Sequence, residues 1–192
     1  MSPQRSNRSH LIEGTLRCLE RLPPERVTAR AIAAESGANL ASITYHFGSK
    51  DELVTEAVVA GLDRWLVEIA DRLDEVNAQA PADRFRAALA AVEDGRRRHE
   101  GLARTFLAAL AKASHDERVR NLLAEGFRRS HGEVAQVLGL GADAAGRDAG
   151  GLALAMFNGL LFQALIDPGL AIEGRRMVRA QARLRGVMPA DG

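Results

Sequence analysis

Between Pro23 and Glu52 the chain is punctuated so closely that only short helices fit. Pro23-Pro24 stops whatever precedes it, because proline lacks the amide that a helix interior requires. Thr28 then offers an N-cap, and Gly37 suits the left-handed position just past a helix end. Asn39 is a second N-cap, and Gly48 breaks the pattern again. Ser49-Lys50-Asp51-Glu52 reads as a capping box, with Ser49 capping and Glu52 reaching back. The spacing predicts one helix from Thr28 to about Ser36, a second from Asn39 to about His46, and a tight Ser36-Gly37-Ala38 turn between them.

The flanks agree. Leu11, Ile12, Leu16, Leu19 and Leu22 recur at helical spacing, which predicts a first helix from about Ser9 to Leu22. A long helix from Ser49 to about Asn77 carries Leu53, Ala57, Val58, Leu62, Trp65, Ile69, Leu73 and Val76 on one stripe. Further helices are expected over roughly 82–98, 102–113, 117–138, 148–166 and 172–185. The expected breaks are Gly101, Ser114-His115, Gly139 to Gly146 and Asp167-Pro168-Gly169. Strand-type alternation is hard to find, so the fold class is all-α.

Two short helices joined by a glycine turn, inside a three-helix unit, form a helix-turn-helix arrangement. Ala33, Ala34 and Ala38 are small enough for close crossing, and Ile43 and Phe47 turn inward at i, i+4 spacing. Asn39, Leu40, Ala41, Ser42, Thr44, Tyr45 and His46 are left at least partly outward. Small polar groups with one aromatic suit a major groove.

Charge supports a local, not a global, interaction with nucleic acid. The 26 basic and 25 acidic residues leave a net +1, which excludes a protein that coats nucleic acid by bulk charge. Residues 1–50 hold seven basic and four acidic side chains, net +3, while residues 51–100 hold seven and twelve, net −5. At 46% hydrophobic and 27% charged, the composition is that of a soluble globular chain. The single Cys18 excludes a disulfide framework within one chain and any cysteine-based zinc cluster, and it fits a reducing compartment. The polar start carries no export-signal pattern, and the apolar run from Leu152 to Ile166 reads as too short to cross a bilayer. A cytoplasmic location, with no membrane partner, is expected.

Catalytic patterns are incomplete. His131-Gly132-Glu133 lacks the P-C-x-x-C that a zinc deaminase needs. Gly139-Leu140-Gly141 follows a helical pattern, not the strand of a dinucleotide site. No enzyme activity, metal or cofactor is expected.

The run Thr28-Ala-Arg-Ala-Ile-Ala-Ala-Glu-Ser-Gly37, then Ala38-Asn-Leu-Ala-Ser-Ile-Thr-Tyr-His-Phe47, then Gly48-Ser-Lys-Asp-Glu-Leu53 resembles the DNA-binding head of the TetR family of bacterial transcription regulators. Family members often carry an aromatic where this chain has Thr44. The resemblance implies a DNA-binding domain at 1–55 and a ligand-binding and dimerisation domain at 56–192. It implies a homodimer, a double-stranded DNA operator and a small-molecule effector, with repression relieved by ligand. Asn39, Leu40, Ala41 and Ser42 fall where members meet base edges, Leu40 with ordinary packing as its alternative. Tyr45, His46 and Lys50 fall where members touch phosphates, and Thr44 is a further DNA-facing candidate on the same helix. Thr28 is either a phosphate contact or a plain N-cap, and His46 has a structural role as its alternative.

For the body, the resemblance points to the last two helices as the dimer seam, with Ala155, Gly159, Phe162, Arg176 and Arg179 as candidates. Arg175, Arg176, Arg179 and Arg183 could equally form a solvated face. Trp65, Phe106, Phe127, Asn158 and Gln163 are ligand candidates, the aromatics with core packing as the alternative. Asn158 and Gln163 could instead bond across the seam. The reading from a different class is a helical ligand- or partner-binding protein without specific DNA binding. A helical enzyme is the remote third.

Overall fold

The computed structural model describes residues 3–76, 80–172 and 174–187, with helix and no strand among them. The helices are α1 (Pro3–Arg21), α2 (Ala29–Ser36), α3 (Leu40–Phe47), α4 (Lys50–Glu75), α5 (Pro81–Gly95), α6 (Glu100–Lys112), α7 (Glu117–Leu138), α8 (Ala144–Ile166) and α9 (Gly174–Arg185). The all-α class is as expected. Short 3-10 turns at Pro24–Arg26 and Pro168–Leu170 occupy two of the proline breaks.

The head forms as its caps dictate. Ala31 N–H donates to Thr28 Oγ1 (3.1 Å), Ala41 N–H to Asn39 Oδ1 (3.0 Å) and Glu52 N–H to Ser49 Oγ (3.1 Å). Gly37 takes a φ of 67°, a left-handed value that L side chains resist. The Ser49 hydroxyl in turn donates to Glu52 Oε1 (3.1 Å), so the box closes through the hydroxyl.

Three differences from the expected layout have physical causes. The tight α1–α2 crossing lies at Gly14, where a Cβ would sit 2.6 Å from Ser36 Cβ; Ala34 is exposed. Gly101 is no helix break. It lies in α6 and lets that helix close on the Leu19 carbonyl of α1, a site a Cβ would occupy. Val76 is exposed past the end of α4, and the expected end at Asn77 lies outside the described residues.

The apolar run at Leu152 also proves to be part of something longer. α8 begins at Ala144 behind an Asp143 N-cap, and its 23 residues are long and apolar enough to cross a membrane by length and composition. Gly and Ala residues ahead of Leu152, with Arg147 and Asp148 among them, supply the missing turns. Its inner face packs on α7, where Gly150 abuts the His131 carbonyl. Only 22% of its apolar window is buried within the chain.

Two buried clusters hold the chain together. One joins Leu11, Ile32, Phe47 and Leu53 to Leu102, Phe106 and Leu123, and so links the first three helices to α6 and α7. The other gathers Trp65, Ile69, Leu73, Val134, Leu138 and Leu161.

A candidate nucleic-acid interface and the cavity behind it

α3 is anchored by Ile43 and Phe47, both under 5% exposed, and this fixes which residues face out. Leu40 is 46% exposed, and Ala41, Thr44 and Tyr45 are exposed beside it. Ser42 and His46 are half-buried. The Tyr45 and His46 rings meet edge-on at 4.9 Å, and His46 lies 6.4 Å from the Phe47 ring. Leu40 is thus divided, with somewhat under half of its surface open to a partner and the rest covered by the protein.

Capping limits what the polar residues can offer. Asn39 has committed Oδ1 to the Ala41 amide, which leaves its NH2 group to donate outward. Bidentate adenine recognition needs both halves of the amide, whereas donation alone suits a guanine or thymine acceptor or a phosphate. Thr28 likewise accepts in its cap and keeps a hydroxyl proton to donate, at a helix start where amides favour anions.

Lys50 opens α4 with its Nζ 3.1 Å from Asp51 Oδ1. Asp51 also holds Lys112 from the end of α6. Burial works against the Asp51 charge, but hydrogen bonds from Lys112 and Lys50 hold its carboxyl below the usual range. At the next residue, Arg118 of α7 donates to Glu52 Oε1 (3.2 Å). The N-terminus of α4 is thus tied to both α6 and α7 beside the outward face of α3.

Three arginines of the head escaped the sequence reading. Arg8 sits 5.0 Å over the Phe47 ring and pairs with Glu56. Burial pushes the Glu56 carboxyl up despite that arginine. Arg26 and Arg30 flank Thr28, exposed and without an ion-pair partner among the described residues. Their only advance signal was the net charge of the first fifty residues.

Behind the head, α4, α7 and α8 line a partly open cavity of about 100 Å³, with α5 and α6 completing its walls. Trp65, Phe106, Phe127 and Asn158 line it. Gln163 does not: it is exposed on the outer face of α8. The helix period separates the two amides, since 158 lies with 154, 157 and 161 on the inner side. Asp63 stands at the cavity wall and accepts from Arg129 Nη2 (2.7 Å). Glu133 shares Arg129 at 3.7 Å, and burial together with the Asp63 charge pushes its carboxyl up.

The expected seam residues also divide. Ala155 is exposed, and a Cβ on Gly159 would meet nothing within 4 Å. With Leu152 (67% exposed) and Ile166 (80% exposed) they make an apolar outer stripe. Phe162 turns inward instead, its ring 5.7 Å from Phe106, because its position falls at the stripe's edge. Arg176 Nη1 donates to the Ala171 carbonyl (2.9 Å) within its own chain, and Arg179 is exposed.

A helix-turn-helix head carried on a helical body with an internal cavity defines a class of regulatory protein. Residues 11–57 match the pattern of bacterial regulatory proteins of the TetR family, and residues 81–185 match the C-terminal domain of BetI-type transcriptional repressors. The chain belongs to the TetR family.

Individual relatives are more distant. The HTH-type transcriptional regulator BetI of Burkholderia mallei (strain NCTC 10229) is 28% identical over 127 residues, 66% of this chain and 65% of that protein. The match thus spans just under two thirds of the relative's length. The fold resembles that of the multidrug binding protein EbrR, solved with imidazole (TM-score 0.66, 21% identity, covering 100% of this chain and 93% of that one). It also resembles a Saccharomonospora viridis protein solved with choline (TM-score 0.54, 22% identity, covering 83% and 85%).

Proposed function

We propose that the chain is a cytoplasmic, homodimeric, ligand-responsive regulator of transcription that reads a pseudo-palindromic operator and is released from it by a small molecule. The observation that carries the reading is the outward face of α3. A partly exposed Leu40 beside the capping Asn39, with Lys50 opening the next helix, is costly to leave in water and well suited to a groove. Residues 1–55 act as the DNA-binding domain and residues 56–192 as the sensing and dimerising one, with α4 shared between them.

In this reading Leu40, Ala41 and Ser42 meet base edges, and Asn39 donates to an acceptor there. Thr28, Thr44, Tyr45, His46 and Lys50 meet phosphates. The exposed stripe Leu152, Ala155, Gly159 and Ile166 pairs with that of a second copy, Gln163 lying in the seam. Arg176 and Arg179 flank it. A dimer sets the separation of two heads, and they fit DNA only when that separation matches the groove repeat of about 34 Å or a multiple. The cavity touches α4, α6 and α7, and α4 is tied to α6 through Asp51–Lys112 and to α7 through Glu52–Arg118. A ligand that prefers another tilt of α4 shifts the heads out of register and weakens binding.

The test is a mobility shift on the DNA upstream of the protein's own gene. Saturable binding that resists competitor DNA is expected. No binding by the ligand-free protein at low salt would favour a helical binding protein without DNA recognition.

A further inference from the structure

The cavity between α4, α7 and α8 differs from the rest of the interior in holding polar groups that the protein leaves unused. Apart from Asp63, Ser130 and Asn158, its walls are apolar side chains and one glycine. The Asp63 carboxylate is engaged by Arg129. Ser130 and Asn158 have no side-chain hydrogen bond among the described residues. They present a hydroxyl and an amide to an otherwise apolar space.

Charge narrows the occupant. No Lys, Arg or His lines the cavity, so an anion would lose its hydration with nothing in exchange. A cation would find one carboxylate, already spent on Arg129 at 2.7 Å, while Glu133 lies outside the lining. The rings are also partly committed. Trp65 stacks on His99 (4.6 Å) and Phe157 on Phe85 (5.5 Å), while Phe106 packs against both Phe127 (5.9 Å) and Phe162 (5.7 Å). A ring with one face covered has less to offer a cation than an open cage has. Size narrows it further: the space measures about 100 Å³ and is partly open to solvent, room for one small ring or a few carbons with part of the molecule reaching the mouth.

We infer that the cavity takes a small uncharged molecule, one ring or a few carbons, bearing a single hydroxyl or carbonyl group held by Asn158 and Ser130. This rests on the regulator reading, in which the cavity is the effector site, and names the chemistry of that effector. Neither a quaternary ammonium nor a carboxylate fits it.

Trp65 is the chain's single tryptophan and lines the cavity, so its emission reports occupancy directly. Benzyl alcohol should change that emission saturably and raise the melting temperature. Choline chloride and sodium benzoate at equal concentration should do neither. Saturation by choline or benzoate without benzyl alcohol, or by none of the three, overturns the inference. Asn158→Leu keeps the bulk and removes the amide, so it should cut the preference for benzyl alcohol over toluene about tenfold; an unchanged ratio removes Asn158 from the site. A mobility shift of the ligand-free protein separates the two readings. Failed titrations with operator binding intact sink only the ligand class, and lost operator binding sinks the regulator reading.

Discussion

The head and the body are both helical, yet their sequences specify them by different means. In the head, side chains within three residues of each helix start set the boundaries: Thr28, Asn39 and Ser49 each accept an amide two or three positions on. In the body, glycines set the distances between helices far apart in sequence. Gly101 admits the Leu19 carbonyl, Gly150 the His131 carbonyl, and Gly126 the Val59 side chain. The division is one of emphasis, since Gly14 also sets the α1–α2 distance in the head and Asp116 and Asp143 also cap α7 and α8 in the body.

The comparison breaks down if the two regions are separate folding units, and the shared cluster from Leu11 to Leu123 says they are not. Gly101→Ala tests this most severely. Its methyl would enter the Leu19 carbonyl, and backbone cannot yield as a side chain does, so a loss of about 3 kcal/mol is expected. Denaturant unfolding should show one transition, with head and body lost together. Two transitions, with the head surviving, would mean that α1 stands without α6.

Gly159→Asp addresses the outer stripe. The new side chain meets nothing in its own chain, so monomer folding should be unchanged. In an apolar seam, an unpaired carboxylate costs about 3 kcal/mol, on the order of a hundredfold in association. Light scattering should find monomers, and operator affinity should fall with them. A persistent dimer would place the seam away from α8.

What was readable in advance follows the same division. The caps, the Gly37 turn and the inward pair Ile43 and Phe47 follow from residue type and spacing alone. The role of Gly101 did not, because a glycine that ends a helix and one that admits another helix are the same letter. Asn158 and Gln163 looked equivalent until the orientation of α8 placed one in the cavity and the other outside. The packing of Phe162 on Phe106 was hidden for the same reason, since periodicity gives relative angles on a helix and not which angle faces the core. Arg8 was invisible because its partners, Phe47 and Glu56, lie on two later helices.

The smallest expected effects are the most diagnostic for the head, because they differ in kind. Leu40→Ala removes apolar surface at a base edge, so it should cost about 1 kcal/mol on the preferred operator and relax selection at one base step. Lys50→Ala should instead weaken all sequences alike and flatten the salt dependence by about one counterion. Its net loss should be modest, because Lys50 must leave Asp51 to reach a phosphate. Asp51 keeps Lys112 when Lys50 goes, so the tie between α4 and α6 should persist and melting should barely change. Selection and salt titration on both variants decide the matter. If Lys50→Ala altered base preference, or Leu40→Ala altered only the salt slope, the division of α3 and the start of α4 into base-reading and phosphate-holding parts would be wrong.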